Sequence, residues 1–232
     1  MRIVPVKWAV LLGLVLLAGC NQGPKGPSLE LEIFQTFTQK ISSIRAAPAG
    51  ARPPLTRAAL DTVEGAYIEV TLENSDIFAY LSQQLVRRDG TPGEIVVWRS
   101  EDDASLALRN GVLIATRGLG GDILSASAQV ADGRPGSVAS GARRYQIRGL
   151  DNQSRSLVMA CSLQDLGTET VEIVELQYTT RHLQERCQGG AGFEGSVVVN
   201  DYWIDSRSGR IWASRQWAGP TIGYLRIRQL TT

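Results

Sequence analysis

From Tyr67 onward apolar and polar residues alternate with period two, and Gly, Asn, Asp and Pro break the alternation at short intervals. Residues two apart share one face of a strand, so this pattern can bury one side of a sheet but no side of a helix. The spacing predicts strands at 67–72, 77–86, 94–99, 105–109, 112–117, 142–148, 155–163, 169–178, 179–187, 196–205, 209–216 and 223–230. Asn110-Gly111 is the strongest turn signal, because both central residues of a type I′ turn need positive φ; residues 105–117 are expected to form a hairpin. A second hairpin is expected where Asp205-Ser206-Arg207-Ser208-Gly209 joins two strands. The fold class that follows is mainly β, an antiparallel barrel-like or sandwich domain.

Ahead of the strands, Leu29, Ile33, Phe34, Phe37, Ile41 and Ile44 recur at helical spacing, with polar residues between them. Residues 29–45 are therefore expected to form one N-terminal amphipathic helix, its apolar face packed on the core. Pro48, Gly50, Pro53 and Pro54 require a loop, and Thr56 can then cap a short helix running to about Leu60.

The first residues carry a different message. Arg2 and Lys7 precede an apolar run from Trp8 to Ala18, which is the charged and apolar pattern of a secretory signal. The run falls short of the roughly 20 residues that span a bilayer. It ends in Leu17-Ala18-Gly19-Cys20, a bacterial lipobox: two small residues let a peptidase close around the backbone, and the Cys20 thiol takes the diacylglyceryl group. The expected organisation is a signal peptide at 1–19, a lipidated Cys20 with a flexible tether to residue 28, and a single mainly-β, periplasm-facing domain at 29–232. Two acyl chains suffice for a stable anchor. Asn21, rather than Asp, favours sorting to the outer membrane.

Removing residues 1–19 takes away Arg2 and Lys7, so the formal charge of +1 becomes +1 − 2 = −1. No basic surplus remains for nucleic acid. Cys161 and Cys187 are then the remaining cysteines in a chain bound for an oxidising compartment, and an exported pair reads as a disulfide. Two free thiols, or a partner outside the chain, stay open at this level.

Signs of catalysis are sparse. Gly118-Leu119-Gly120-Gly121-Asp122 resembles a phosphate loop only in composition; a dinucleotide fingerprint needs a βαβ unit, whereas here an antiparallel hairpin precedes and the loop at 132–136 soon follows, so a tight bend between strands is the better reading. His182 is the only histidine and sits in an alternating strand with no nucleophile motif near any serine, which suits a structural or surface role. One histidine and a bonded cysteine pair leave too few ligands for a zinc or transition-metal site, and no cofactor is expected. Glu101-Asp102-Asp103 reads as a solvated turn, and no spacing selects the carboxylate pair of a glycosidase. The C-terminal aromatics are more suggestive. Trp203, Trp212 and Trp217 crowd into a chain otherwise poor in rings, and such flat rings more often fill a β core than contact a glycan or partner. Alternation predicts that Trp203 and Trp212 share a face across their hairpin.

Three stretches carry a resemblance. They are Arg109-Asn-Gly-Val-Leu-Ile-Ala-Thr-Arg-Gly-Leu-Gly120, Glu185-Arg-Cys187, and Asn200-Asp-Tyr-Trp-Ile-Asp205 with Gly209-Arg-Ile-Trp-Ala-Ser-Arg-Gln-Trp-Ala-Gly-Pro220. Together with the lipobox they resemble the YjbF/GfcB lipoproteins, the group 4 capsule polysaccharide family. The resemblance implies production of a capsule-like exopolysaccharide beside outer-membrane and periplasmic export proteins, and it brings no catalytic residue. The expectation is a non-enzymatic outer-membrane lipoprotein that assists secretion or assembly by contacting a partner protein or the glycan. A glycan-acting hydrolase of the envelope and a purely structural envelope lipoprotein are the alternatives.

Overall fold

The computed structural model describes residues 55–129, 136, 138–190 and 193–231. The expected signal peptide, Cys20 with its tether, and the helix at 29–45 lie outside these residues. The first described element is the short helix α1 (Arg57–Leu60), whose Thr56 hydroxyl accepts from Ala59 N–H as an N-cap. Twelve strands follow: β1 (Tyr67–Leu72), β2 (Ile77–Arg87), β3 (Ile95–Arg99), β4 (Ser105–Arg109), β5 (Val112–Arg117), β6 (Ile123–Ala126), β7 (Gly141–Arg148), β8 (Ser154–Ile173), β9 (Leu176–Gly189), β10 (Val197–Asp205), β11 (Ile211–Trp217) and β12 (Tyr224–Gln229). Among the described residues no helix is long and apolar enough to cross a membrane.

All twelve strands form one antiparallel sheet in the order β5-β4-β3-β2-β1-β12-β11-β10-β9-β8-β7-β6. Every neighbour is adjacent in sequence except β1 and β12, whose pairing from Ile68 opposite Gln229 to Leu72 opposite Leu225 joins the two ends of the meander. The sheet is a nearly closed barrel with its seam between β5 and β6. Each strand sends an apolar side chain into one core, including Ile68, Leu81, Trp98, Leu106, Leu113, Ile123, Tyr145, Met159, Cys187, Val198, Trp217 and Leu225. The mainly-β, antiparallel, barrel-like expectation is met.

Side chains bridge the seam where backbone ladders stop. Leu113 N–H donates to Gln216 Oε1 at 2.8 Å, Gln216 Nε2 donates to Gly111 O at 2.8 Å, and Arg143 Nη2 donates to Leu113 O at 3.1 Å. The Gln216 amide thus offers β5 what a neighbouring peptide group would. At the other end Arg117 donates to Thr116 O, Ile123 O and Leu124 O, and Ile123 N–H donates to Thr116 Oγ1. The bend expected at residues 118–122 joins β5 to β6. Its Gly118 and Leu119 N–H groups donate to the Asp122 carboxylate. The donors a phosphate would need are occupied by the chain's own anion.

The Asn110-Gly111 hairpin forms as expected, with φ of 46° and 83° at the two turn residues. The pattern of residues 155–187 misleads in one respect. It suggests strand breaks at Gly167 and between Tyr178 and Thr179, whereas β8 runs through Gly167 and turns at Val174 and Glu175, at φ of 44° and 66°. Gly167, at φ 99°, marks a bulge in the β8–β9 ladder instead. The turn holds without glycine because Val174 is buried with Ile173, Leu60, Tyr67, Trp212 and Leu230 in a second cluster. Tyr67 alternates with the core residue Ile68, so this cluster lies on the opposite, outer face of the sheet. Arg57 joins its parts, donating to Leu230 O and Ile173 O. The short strand β6 was not anticipated.

Candidate functional site

The long β8–β9 hairpin and β10 place five polar and aromatic side chains together on the outer face. Trp203 lies opposite His182 and Asp201 opposite Gln184 in the β9–β10 ladder, while Tyr202, one residue away, points into the barrel. The His182 and Trp203 rings stack, with centroids 4.5 Å apart and planes 19° apart. His182 Nε2 lies 2.9 Å from Asp201 Oδ1 and Nδ1 lies 3.1 Å from Glu169 Oε2. The same Glu169 oxygen accepts from Trp203 Nε1 at 2.7 Å, and Asp201 Oδ1 also accepts from Gln184 Nε2 at 3.0 Å. Among the described residues the second oxygens, Asp201 Oδ2 and Glu169 Oε1, carry no hydrogen bond. Trp203 is half-buried, and the Glu169 side chain is 50% exposed.

Next to this group on β11, Arg215 is opposite Asp201 but turns to Glu73, donating through Nε and Nη2 at 2.8–3.0 Å. Its guanidinium also lies over the Tyr224 ring at 3.5 Å. The site is therefore an aromatic pair edged by acceptor oxygens, with the neighbouring Arg215 engaged by Glu73. The two carboxylates contact opposite sides of one imidazole. That ring fills the space a glycosidic bond would need between an acid and a nucleophile.

The three tryptophans separate. Trp212 is 7% exposed, stacked on Tyr178 at 3.8 Å, and donates its Nε1 to Asp205 Oδ2. Trp217 is 8% exposed and meets Tyr145 edge-on inside the core. Neither presents a ring to a ligand. A bulge at Trp203 and Ile204 shifts the register, so that Trp203 faces Ala213 rather than Trp212.

Several residues of the resembling stretches, Glu185, Asn200, Tyr202 and Trp217, go inward, where they meet Arg143. Arg143 and Glu185 form a salt bridge of 2.8 Å, with both side chains 2% exposed, and Glu185 Oε2 also accepts from Asn200 Nδ2 and Tyr202 Oη. Asn200 Oδ1 in turn accepts from Trp217 N–H. Burial opposes the Arg143 charge, but the Tyr145, Tyr202 and Glu185 oxygens outweigh it and raise its pKa. Burial pushes the Tyr202 phenol well above its ordinary value, with Glu185 adding to the effect. Cys161 and Cys187, directly opposite in the ladder, are joined by a disulfide. Their sulfurs lie within 4.8 Å of a Glu185 oxygen, a spacing that could suit a metal. The sulfur valences are used by the bond, and Arg143 already neutralises the carboxylate, so the group is a structural one.

His182 alternates in phase with Gln184 and Arg186, so its outward direction was readable in the sequence. Its partners Glu169 and Asp201 were not, because the Gly167 bulge and the β9–β10 register set them.

The comparisons with known proteins agree with this architecture. A family model described as group 4 capsule polysaccharide lipoprotein gfcB, YjbF matches residues 29–230. The crystal structure of the hypothetical lipoprotein YmcC from Escherichia coli K12 superposes with a TM-score of 0.64 at 18% identity, covering 90% of this chain and 98% of that one. That likeness concerns the fold. A putative lipoprotein from Parabacteroides distasonis is more distant, with a TM-score of 0.38 at 10% identity over 72% of this chain and 94% of that one. No curated protein matches the sequence.

Proposed function

The chain belongs to the group 4 capsule polysaccharide lipoprotein family, and from that premise we propose a non-enzymatic role in exopolysaccharide export or assembly. In this reading Cys20 is lipidated, the anchor sits in the outer membrane, and the barrel faces the periplasm, where the Trp203 face contacts the polysaccharide. The observation that carries the reading is the outward stack of Trp203 on His182, edged by two carboxylate oxygens that carry no hydrogen bond among the described residues. A core does not need a half-exposed indole, whereas a pyranose has an apolar C–H face that matches one and hydroxyls that match the oxygens. Exposed Arg186 and half-buried Gln184 and His182 alternate along the outer side of β9, unlike the apolar band of a membrane-spanning barrel.

A tethered binder gains from its anchor. A short linker holds the domain beside membrane partners at an effective concentration of about a millimolar. The test replaces residue 203 with a photo-crosslinking amino acid in the producing strain. Crosslinks to polysaccharide are expected, and crosslinks to an export protein alone would reassign the face. In parallel, Cys20→Ser is expected to lose both the lipid label and the membrane fraction. A variant that stays membrane-bound without lipid would refute the anchor.

A further inference from the structure

We infer that the Trp203 face takes a neutral, hydroxyl-bearing sugar in preference to a uronic acid; this rests on the polysaccharide-contacting role proposed above. The two oxygens beside the ring pair, Asp201 Oδ2 and Glu169 Oε1, are carboxylate oxygens, which accept hydrogen bonds. A sugar hydroxyl donates to such an oxygen. A sugar carboxylate cannot, and it brings a like charge to within a few ångströms of two others.

The surrounding cations do not reverse this. Arg215 is held by Glu73 through two nitrogens and Arg226 lies 3.7 Å from the same carboxylate, so the trio keeps one positive charge in excess, but both guanidiniums are directed to Glu73. Arg181 pairs with Asp165 at 3.5 Å. Arg186 shares the outer face of β9 with His182 but stands four residues along the strand, about 13 Å away, which exceeds the width of one pyranose. Among the described residues, the ring that stacks on Trp203 therefore meets acceptors, while Arg215, Arg226 and Arg181 are each directed to a carboxylate.

The test uses full-length lipoprotein in detergent and four tetrasaccharides: galactotetraose, maltotetraose, cellotetraose and tetragalacturonic acid. Binding is read by saturation-transfer NMR and by competition. At least one neutral tetrasaccharide is expected to bind ten-fold or more tightly than tetragalacturonate. Trp203→Ala should abolish that binding and Trp203→Phe should keep part of it, while Asp201→Asn should narrow the neutral-to-acidic ratio to less than three-fold. Equal or tighter binding of tetragalacturonate overturns the inference and leaves the polysaccharide-contacting role intact. If neither the panel nor polysaccharide purified from the producing strain binds, that role falls as well.

Discussion

Glu185 is held by three donors at once, so its removal and its replacement have different consequences. Glu185→Leu alone leaves the Arg143 guanidinium buried without its counter-charge, and unfolding stability should fall by about 3–5 kcal/mol in a denaturant titration. Adding Arg143→Met should recover most of that loss, since an apolar pair of similar volume removes both desolvated charges. Asp205 makes a prediction about acid. The N–H groups of Ser208 and Arg207 and the Trp212 indole hold its carboxyl at about 2, against an ordinary 3.8, although partial burial opposes them. A depressed folded pKa stabilises fully above the ordinary value and is lost as pH falls through the folded one. Asp205→Asn should therefore flatten the acid-unfolding profile between 3.8 and about 2, as followed by circular dichroism.

Among the elements, β5 depends most on side chains that are not its neighbours in the sheet. Gln216→Leu should speed amide exchange at Leu113 relative to the paired amides of β4, while the overall fold persists. Much of the sheet was legible in the sequence, because alternation and turn residues are local: β4 and β5 fall where Asn110-Gly111 predicts. The β8–β9 tip was not legible. Its turn is held at Val174 by contacts with Leu60 and Trp212, residues brought near only by the tertiary fold, and Gly167, the expected break, bends the ladder without ending it. The candidate site divides in the same way. The outward direction of His182 follows from phase, but its meeting with Glu169 and Asp201 depends on a bulge and a register that no local pattern encodes. The family stretches were recognisable as sequence, yet their role as interior donors and acceptors emerges only when β7, β9 and β10 close on one another.

For the whole molecule, charge chemistry affects how partners can be found. No lysine follows Lys40. Amine-reactive crosslinkers applied to intact envelopes should therefore attach only through Lys25 and Lys40, with none mapped by mass spectrometry to residues 41–232, whereas carboxyl-directed or photoreactive reagents should reach the barrel. The pairing of β1 with β12 has a consequence in time. Tyr67 and Gln229 are 162 positions apart, so β1 leaves the ribosome on the order of 10 s before its partner exists, at ordinary elongation rates. Until then one edge of β1 has no strand to pair with, and the meander can only wait as an open ribbon. A chain of this order must be kept from sticking to its neighbours during that interval, so its yield in a cell depends on chaperoning of an unfinished barrel as much as on the stability of the finished one.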